Sequence, residues 1–185
     1  MSTLLLRLAA PLQSWGLASK FDTRDTAREP TKSGVIGLLA AALGVKRTDA
    51  DGLTELKKLK FGVRIDQPGT LLRDYHTARK EEGDSQFVTN RYYLADAVFL
   101  VGLEGDRDLL QKLAHALQNP VFPLYLGRRS CPPEGKLVLG IREQSLRQAL
   151  EEEPWQACKW YQEKMQKKQL DKIPLTIVYD VQPNE

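Results

Sequence analysis

Three short stretches hold residues whose types and spacing could do chemistry. "LRDYHT" (Leu72 to Thr77) sets Arg73, Asp74, Tyr75 and His76 in a row. On a strand, Arg73 and Tyr75 share one face while Asp74 and His76 share the other. Histidine, tyrosine and lysine can act as acid, base and charge stabiliser in metal-independent RNA cleavage. A lone histidine beside a lone aspartate is more often an ordinary hydrogen-bonded pair. "REPTKSG" (Arg28 to Gly34) leads straight into an apolar segment. Backbone N–H groups at a helix start, with Lys32 beside them, make a phosphate cradle. Capping of a core helix by Thr31 or Ser33 explains the same residues. A P-loop would need glycine directly before the lysine, and Thr31 stands there, so nucleotide hydrolysis is not expected. "LGRRSCP" (Leu126 to Pro132) joins Gly127, which permits close backbone approach, to Arg128 and Arg129, which suit phosphates or simply face water. No base is evident beside Cys131, which reads as a packed residue rather than a nucleophile.

Two further stretches mix aromatic and basic residues, as single-stranded nucleic acid binders do. One is "LQSWGLASKFDTRDTAREP", with Trp15 and Phe21 among Lys20, Arg24 and Arg28. Its other reading has Trp15 plugging the edge of the core. The second runs from Lys159 to Lys172, where five lysines outnumber Glu163 and Asp171, with Trp160 and Tyr161 at its start.

The elements that must position these residues follow from hydrophobic pattern. "TLLLRLAAP" (Thr3 to Pro11) reads as a buried strand. A helix is predicted from Lys32 to Leu43, capped by Thr31 or Ser33 and ended by Gly44. Its apolar set, Val35, Ile36, Leu38, Leu39, Ala42 and Leu43, covers more than one stripe. "LTELKKLK" is a short helix, "FGVRID" (Phe61 to Asp66) a strand, "QPG" a turn and "TLLRDYHTA" an extended run. "RKEEGDSQFVTN" is polar and turn-rich. Tyr92 to Glu104 reads as one continuous strand. Asp106 to Gln118 reads as an amphipathic helix burying Leu109, Leu110, Leu113, Ala114 and Leu117. A proline-framed loop and the strand "KLVLGI" follow. The order strand, helix, strand, strand, helix, strand is the ferredoxin-like split βαβ pattern of an α+β domain, shared with RNA-recognition modules. Beyond Gln144, "SLRQALEEE" looks helical, "WQACKWYQEKMQKKQL" fits no single period, and "IPLTIVYDV" is a strand.

Bulk properties narrow the function classes. The chain has 185 residues and a net charge of only +3, so an acidic partner must be met by locally clustered cations. Cys131 and Cys158 lack metal spacing, and His76 and His115 leave little room for a histidine-rich metal site. A reducing cytosol suits two unpaired cysteines. Arg7 interrupts the N-terminal apolar run, which is too short for a signal peptide, and no apolar run of about eighteen residues exists for a membrane span.

In order along the chain, "LRLAAPLQSWG", "FDTRDTAREPTKSGVIGLLAAALG", "LRDYHT", "YLADAVFLVGLEG" and "LGRRSCPP" resemble the Cas5 family of CRISPR proteins, above all that of type I-E Cascade. The resemblance covers Thr3 to Ile141. It implies a ferredoxin-like domain over residues 1–143, with a β-hairpin thumb inserted at about 77–91, and a C-terminal extension over 144–185. Members usually continue into a further basic segment and closing strand, so an extension shortened relative to the family is expected. The resemblance implies no catalytic residue, no metal and no cofactor. It implies instead a cytoplasmic RNA-binding subunit that holds the 5′ handle of the crRNA in antiviral defence. The implied partners are the crRNA, the Cas7 backbone subunit, the Cas8e (Cse1) large subunit, and target DNA near the start of the guide. RNA contact is carried onto Trp15, Lys20, Arg24, Thr31, Lys32, Ser33, Gly34, Arg73, Tyr75, His76, Arg91, Gly127, Arg128, Arg129 and Ser130. The aromatic signature of ordinary RNA-recognition modules is absent, so contacts are expected along loops and helix starts rather than by stacking on the sheet. Type I-C members cleave precursor RNA themselves. That alternative would rest on His76, Tyr75 and a nearby lysine; a third reading is an assembly protein with little RNA contact.

Overall fold

Leu4, Leu5, Leu6 and Leu8 make the first strand apolar on both sides, so both sides must be covered. The computed structural model, which describes residues 1–16, 23–79, 86–167 and 173–180, shows how. Strand β1 (Ser2–Ala9) sits inside a five-stranded sheet with β4 (Lys60–Gln67), β7 (Val98–Gly105), β8 (Val138–Arg142) and β9 (Thr176–Tyr179). The spatial order is β8-β1-β7-β4-β9, with every neighbouring pair antiparallel. Without β9, this is the 4-1-3-2 arrangement of a ferredoxin-like fold, as the element order predicts. On one face Leu4, Leu6, Leu8, Phe99, Val101 and Leu103 pack against α1 (Lys32–Leu43) and α3 (Arg107–Gln118). On the other, Leu5 and Leu100 meet Leu146, Ala149 and Leu150 of α4 (Leu146–Glu152). Gly62 and Gly102 admit that helix, since a Cβ at Gly102 would stand 2.6 Å from Leu146 Cδ1.

The extension beyond 143 is fastened by a buried ion pair. Arg64 binds Asp66 in bidentate fashion, at 2.7 and 2.9 Å, and its remaining N–H groups reach the carbonyls of Leu150, Glu153 and Pro154. The guanidinium therefore satisfies the orphan carbonyls at the end of α4, where a helix dipole favours a cation. Asp66 in turn accepts from Gln156 N at 2.6 Å, and its carbonyl accepts from Trp155 Nε1 at 2.8 Å. The ambiguous tail resolves into α5 (Lys159–Gln166) and β9, which joins the free edge of β4.

Two local expectations change. The run Tyr92–Glu104 is two strands, β6 (Gln86–Ala95) and β7, because Asp96 takes φ 55°. Pro11 and Gln67 bind the Asp96 backbone there and hold the kink. The short helix is α2 (Ala50–Lys57), earlier than its apolar pattern implied, because Asp49 accepts from Gly52 N and starts it.

Between β4 and β7 the chain leaves the main sheet as a hairpin, β5 (Thr70–Arg79) and β6. The other edge of β6 is taken by β2 (Leu12–Gln13), antiparallel, and then by β3 (Thr23–Arg24), parallel. A second small sheet thus joins the hairpin to the N-terminal loop.

Candidate nucleic-acid interface

The start of α1 caps as an ordinary helix. Thr31 is the N-cap, its hydroxyl accepting from Gly34 N at 3.2 Å. Gly34 lies against the indole: a Cβ there would meet Trp15 Cε3 at 2.9 Å. The amides of Lys32 and Ser33 take no part in any hydrogen bond of the described residues. Lys32 Nζ reaches Asp180 Oδ2, just past β9, at 2.6 Å.

Trp15 is a brace and not an open stacking face. It is 1% exposed, and its Nε1 donates to Gln13 Oε1. Gln13 Nε2 donates in turn to Leu8 O in β1 and to Ala97 O, just before β7. Trp15 N and O are held by Thr26 and Ala27. Lys20 lies outside the described residues.

The small sheet and the arginine loop meet at Tyr93. Directly paired residues share a face, so Arg24, Arg91, Tyr93, Asp74 and His76 lie on one side of the hairpin, and Arg73 and Tyr75 on the other. The Arg128 guanidinium carbon stands 4.5 Å above the centre of the Tyr93 ring, and Nη2 donates to Arg24 O at 2.8 Å. Arg24 and Arg91 are register partners, a like-charge pairing that opposes folding. Among the described residues, none of Arg24, Arg91 and Arg128 forms an ion pair. Arg91 Nε and Arg128 Nη1 are buried without a hydrogen-bond partner. Guanidinium N–H groups turned away from water need an acceptor. Arg128 thus stacks on Tyr93, while Arg24 and Arg91 share the Tyr93 face of the small sheet with Asp74 directly opposite Arg91.

Gly127 makes this loop. Its φ is +85°, and a Cβ would fall 1.6 Å from Ser14 O. Leu126 N donates to Cys131 O at 2.7 Å, closing the turn that carries Arg128, Arg129 and Ser130. Burial pushes the Cys131 thiol above its ordinary range, against the opposing pull of the Ser130 contact and the Arg128 charge, so it stays protonated. Arg129 and Ser130 are exposed.

On the hairpin, His76 Nδ1 lies 3.8 Å from Asp74 Oδ2, both side chains open to solvent. Arg73 Nε donates to Asn90 Oδ1 at 3.0 Å. Tyr75 lies on the opposite face from His76, so the strand does not bring them together as acid and base. Among the described residues no group of three or more His, Cys, Asp or Glu side chains could hold a metal ion. No helix there is long and apolar enough to cross a membrane.

Sequence reasoning missed Tyr93, Thr26, Gln13 and Asp180. Only Tyr93 carried a signal, as the aromatic that opens "YLADAVF".

A ferredoxin-like sheet bearing an inserted hairpin, with arginines gathered where hairpin and loop meet, defines the class of fold. The chain belongs to the Cas5 family: the family described as CRISPR-associated protein (Cas_Cas5) matches residues 3–183. It is 40% identical over 163 residues to the CRISPR system Cascade subunit CasD of Escherichia coli (strain K12), covering 78% of this chain and 73% of that protein. A chain in a solved structure described as "CRISPR RNA-guided surveillance complex" is 42% identical, with a TM-score of 0.73 over 82% of this chain and 68% of that one. Another, "Crystal structure of Cas protein", is 50% identical, with a TM-score of 0.65 over 80% and 69%.

Proposed function

We propose that this chain is the RNA-holding, non-cleaving subunit of a type I-E surveillance complex in the cytoplasm. It grips the 5′ handle of the crRNA and links the large subunit to the Cas7 backbone. The observation that carries this reading is the cluster of Arg24, Arg91 and Arg128 around Tyr93, with buried N–H groups that lack an acceptor. A phosphodiester supplies the missing oxygens, and the Tyr93 ring and the Arg24 carbonyl fix the Arg128 fork in advance. The free amides of Lys32 and Ser33, and the exposed Arg129, extend the grip to neighbouring phosphates. The hairpin is the thumb, lying over the start of the guide and near the target DNA. Base pairing then reads sequence, while this subunit reads backbone and shape.

The test is guide loading. In the complex reconstituted with its other subunits, Arg24→Glu combined with Arg128→Glu should abolish retention of the 5′ handle; unchanged loading would defeat the reading. Site-specific cutting of a repeat RNA without metal, lost on His76→Ala, would instead identify a processing nuclease.

A further inference from the structure

Among the described residues, helix α1 keeps one open strip on the side turned from the core, at the exposed Gly37 and the half-buried Ala41. From Gly34 to Leu43 it holds no polar side chain, whereas a helix facing water ordinarily carries a polar stripe. Val35, Ile36, Leu38, Leu39, Ala40 and Ala42 are buried. Ile36, Gly37, Ala40 and Ala41 form the floor of a groove of about 1170 Å³, between α2 on one side and the loop through Phe122 and Tyr125 on the other.

Gly37 is unexplained within the fold. A Cβ there would meet nothing within 4 Å, and glycine weakens a helix interior relative to alanine. It lies with Ala40 and Ala41 where a small surface lets another helix come within about 8–10 Å of the α1 axis. The groove is also charged on one sign only. Lys46, Arg47 and Lys57 line it, no acidic residue does, and none of the three has an ion-pair partner among the described residues; Arg129, assigned above to the RNA grip, also lines it. At its mouth Lys32 already holds a carboxylate, that of Asp180.

We propose that this groove receives a helix of another protein subunit, apolar along one side and flanked by carboxylates. The α1 floor from Ile36 to Ala41 spans roughly 8 Å, between one and two turns of such a helix. Nucleic acid would also meet the cations, but the aliphatic floor offers no side-chain hydrogen bond to a base edge and suits apolar side chains better. The inference rests on the chain working as a subunit of a larger assembly, and not on the arginine cluster.

The test replaces Tyr125 with the photocrosslinker p-benzoylphenylalanine in the complex reconstituted with guide RNA. Adducts are mapped by mass spectrometry. The expected adduct lies on an acidic, apolar-patterned helical segment of a protein subunit. Gly37→Leu, which fills the groove, should lower that adduct and incorporation about tenfold, while the isolated variant melts no lower than the parent. Should it melt lower, Arg47→Glu with Lys57→Glu takes its place with the same loss expected. Adducts on RNA or on this chain itself, no adduct in assembled complex, or normal incorporation of the groove variants would overturn the proposal. Arg128→Glu separates the two sites: it should weaken RNA retention while leaving the adduct in place.

Discussion

Arg128 lies over Tyr93 with its guanidinium carbon 4.5 Å from the ring centre, and the same guanidinium donates to the carbonyl of Arg24, 104 residues earlier in the chain. Stacking and hydrogen bond together fix the direction of the remaining N–H groups before any ligand arrives. Arg128→Lys keeps the charge and loses the fork, so affinity for single-stranded handle RNA should fall about tenfold. Tyr93→Phe should be nearly neutral and Tyr93→Leu should resemble the lysine variant. In binding measured across a salt series, Arg128→Ala should lower the slope by about 0.7, one phosphate contact on a single strand.

Arg64 and Asp66 form the strongest tie between the main sheet and the extension. Both are almost wholly buried, and removing one leaves the other uncompensated. Arg64→Leu or Asp66→Asn should each cost roughly 3–5 kcal/mol in urea unfolding. The double exchange Arg64→Leu with Asp66→Leu should recover part of that loss. A single exchange as mild as a surface substitution would contradict the assignment.

Gly127 and Gly37 make a matched pair. At Gly127 a Cβ would collide with the Ser14 carbonyl in a left-handed turn, so Gly127→Ala should cost about 2–4 kcal/mol and lose RNA affinity as Arg128 moves. At Gly37 the Cβ enters open space, so Gly37→Ala should raise stability by up to about 1 kcal/mol. Thermal melting of the two variants reads the contrast directly.

The Lys32–Asp180 pair is partly exposed, so Asp180→Ala should shift stability by no more than about 1 kcal/mol. Removing the carboxylate frees Lys32 beside two unpaired amides. RNA affinity at low salt should then rise roughly two- to fivefold; a fall would mean that the pair positions the helix start.

His76→Ala should leave the length of any guide RNA unchanged, since Tyr75 is turned to the opposite face and, among the described residues, Asp74 is the one ion-pair partner of the imidazole. Gel analysis of repeat RNA incubated with parent and variant, without metal, checks it.

What could be read beforehand follows the range of the forces involved. The Thr31 cap and the apolar stripe of α3 are local and stand where pattern puts them. Arg64 and Asp66 alternate like strand residues, but nothing nearby foretold that they would seal the end of a helix some 86 positions on. Trp15 admits two readings, stacking platform and plug of the core edge, because aromatic and basic neighbours are shared by RNA surfaces and core edges; the Gln13 and Thr26 contacts select the plug. The break at Asp96 escaped notice because its apolar neighbours continue across it, while the kink is set by Pro11 and Gln67.

The grip drawn from Arg24, Arg91 and Arg128 has a consequence for synthesis. A ribosome delivers these three far apart in time, and the turn carrying the last is closed only through Cys131. A nascent chain therefore reaches most of its length before the proposed grip is complete, so unfinished copies lack it.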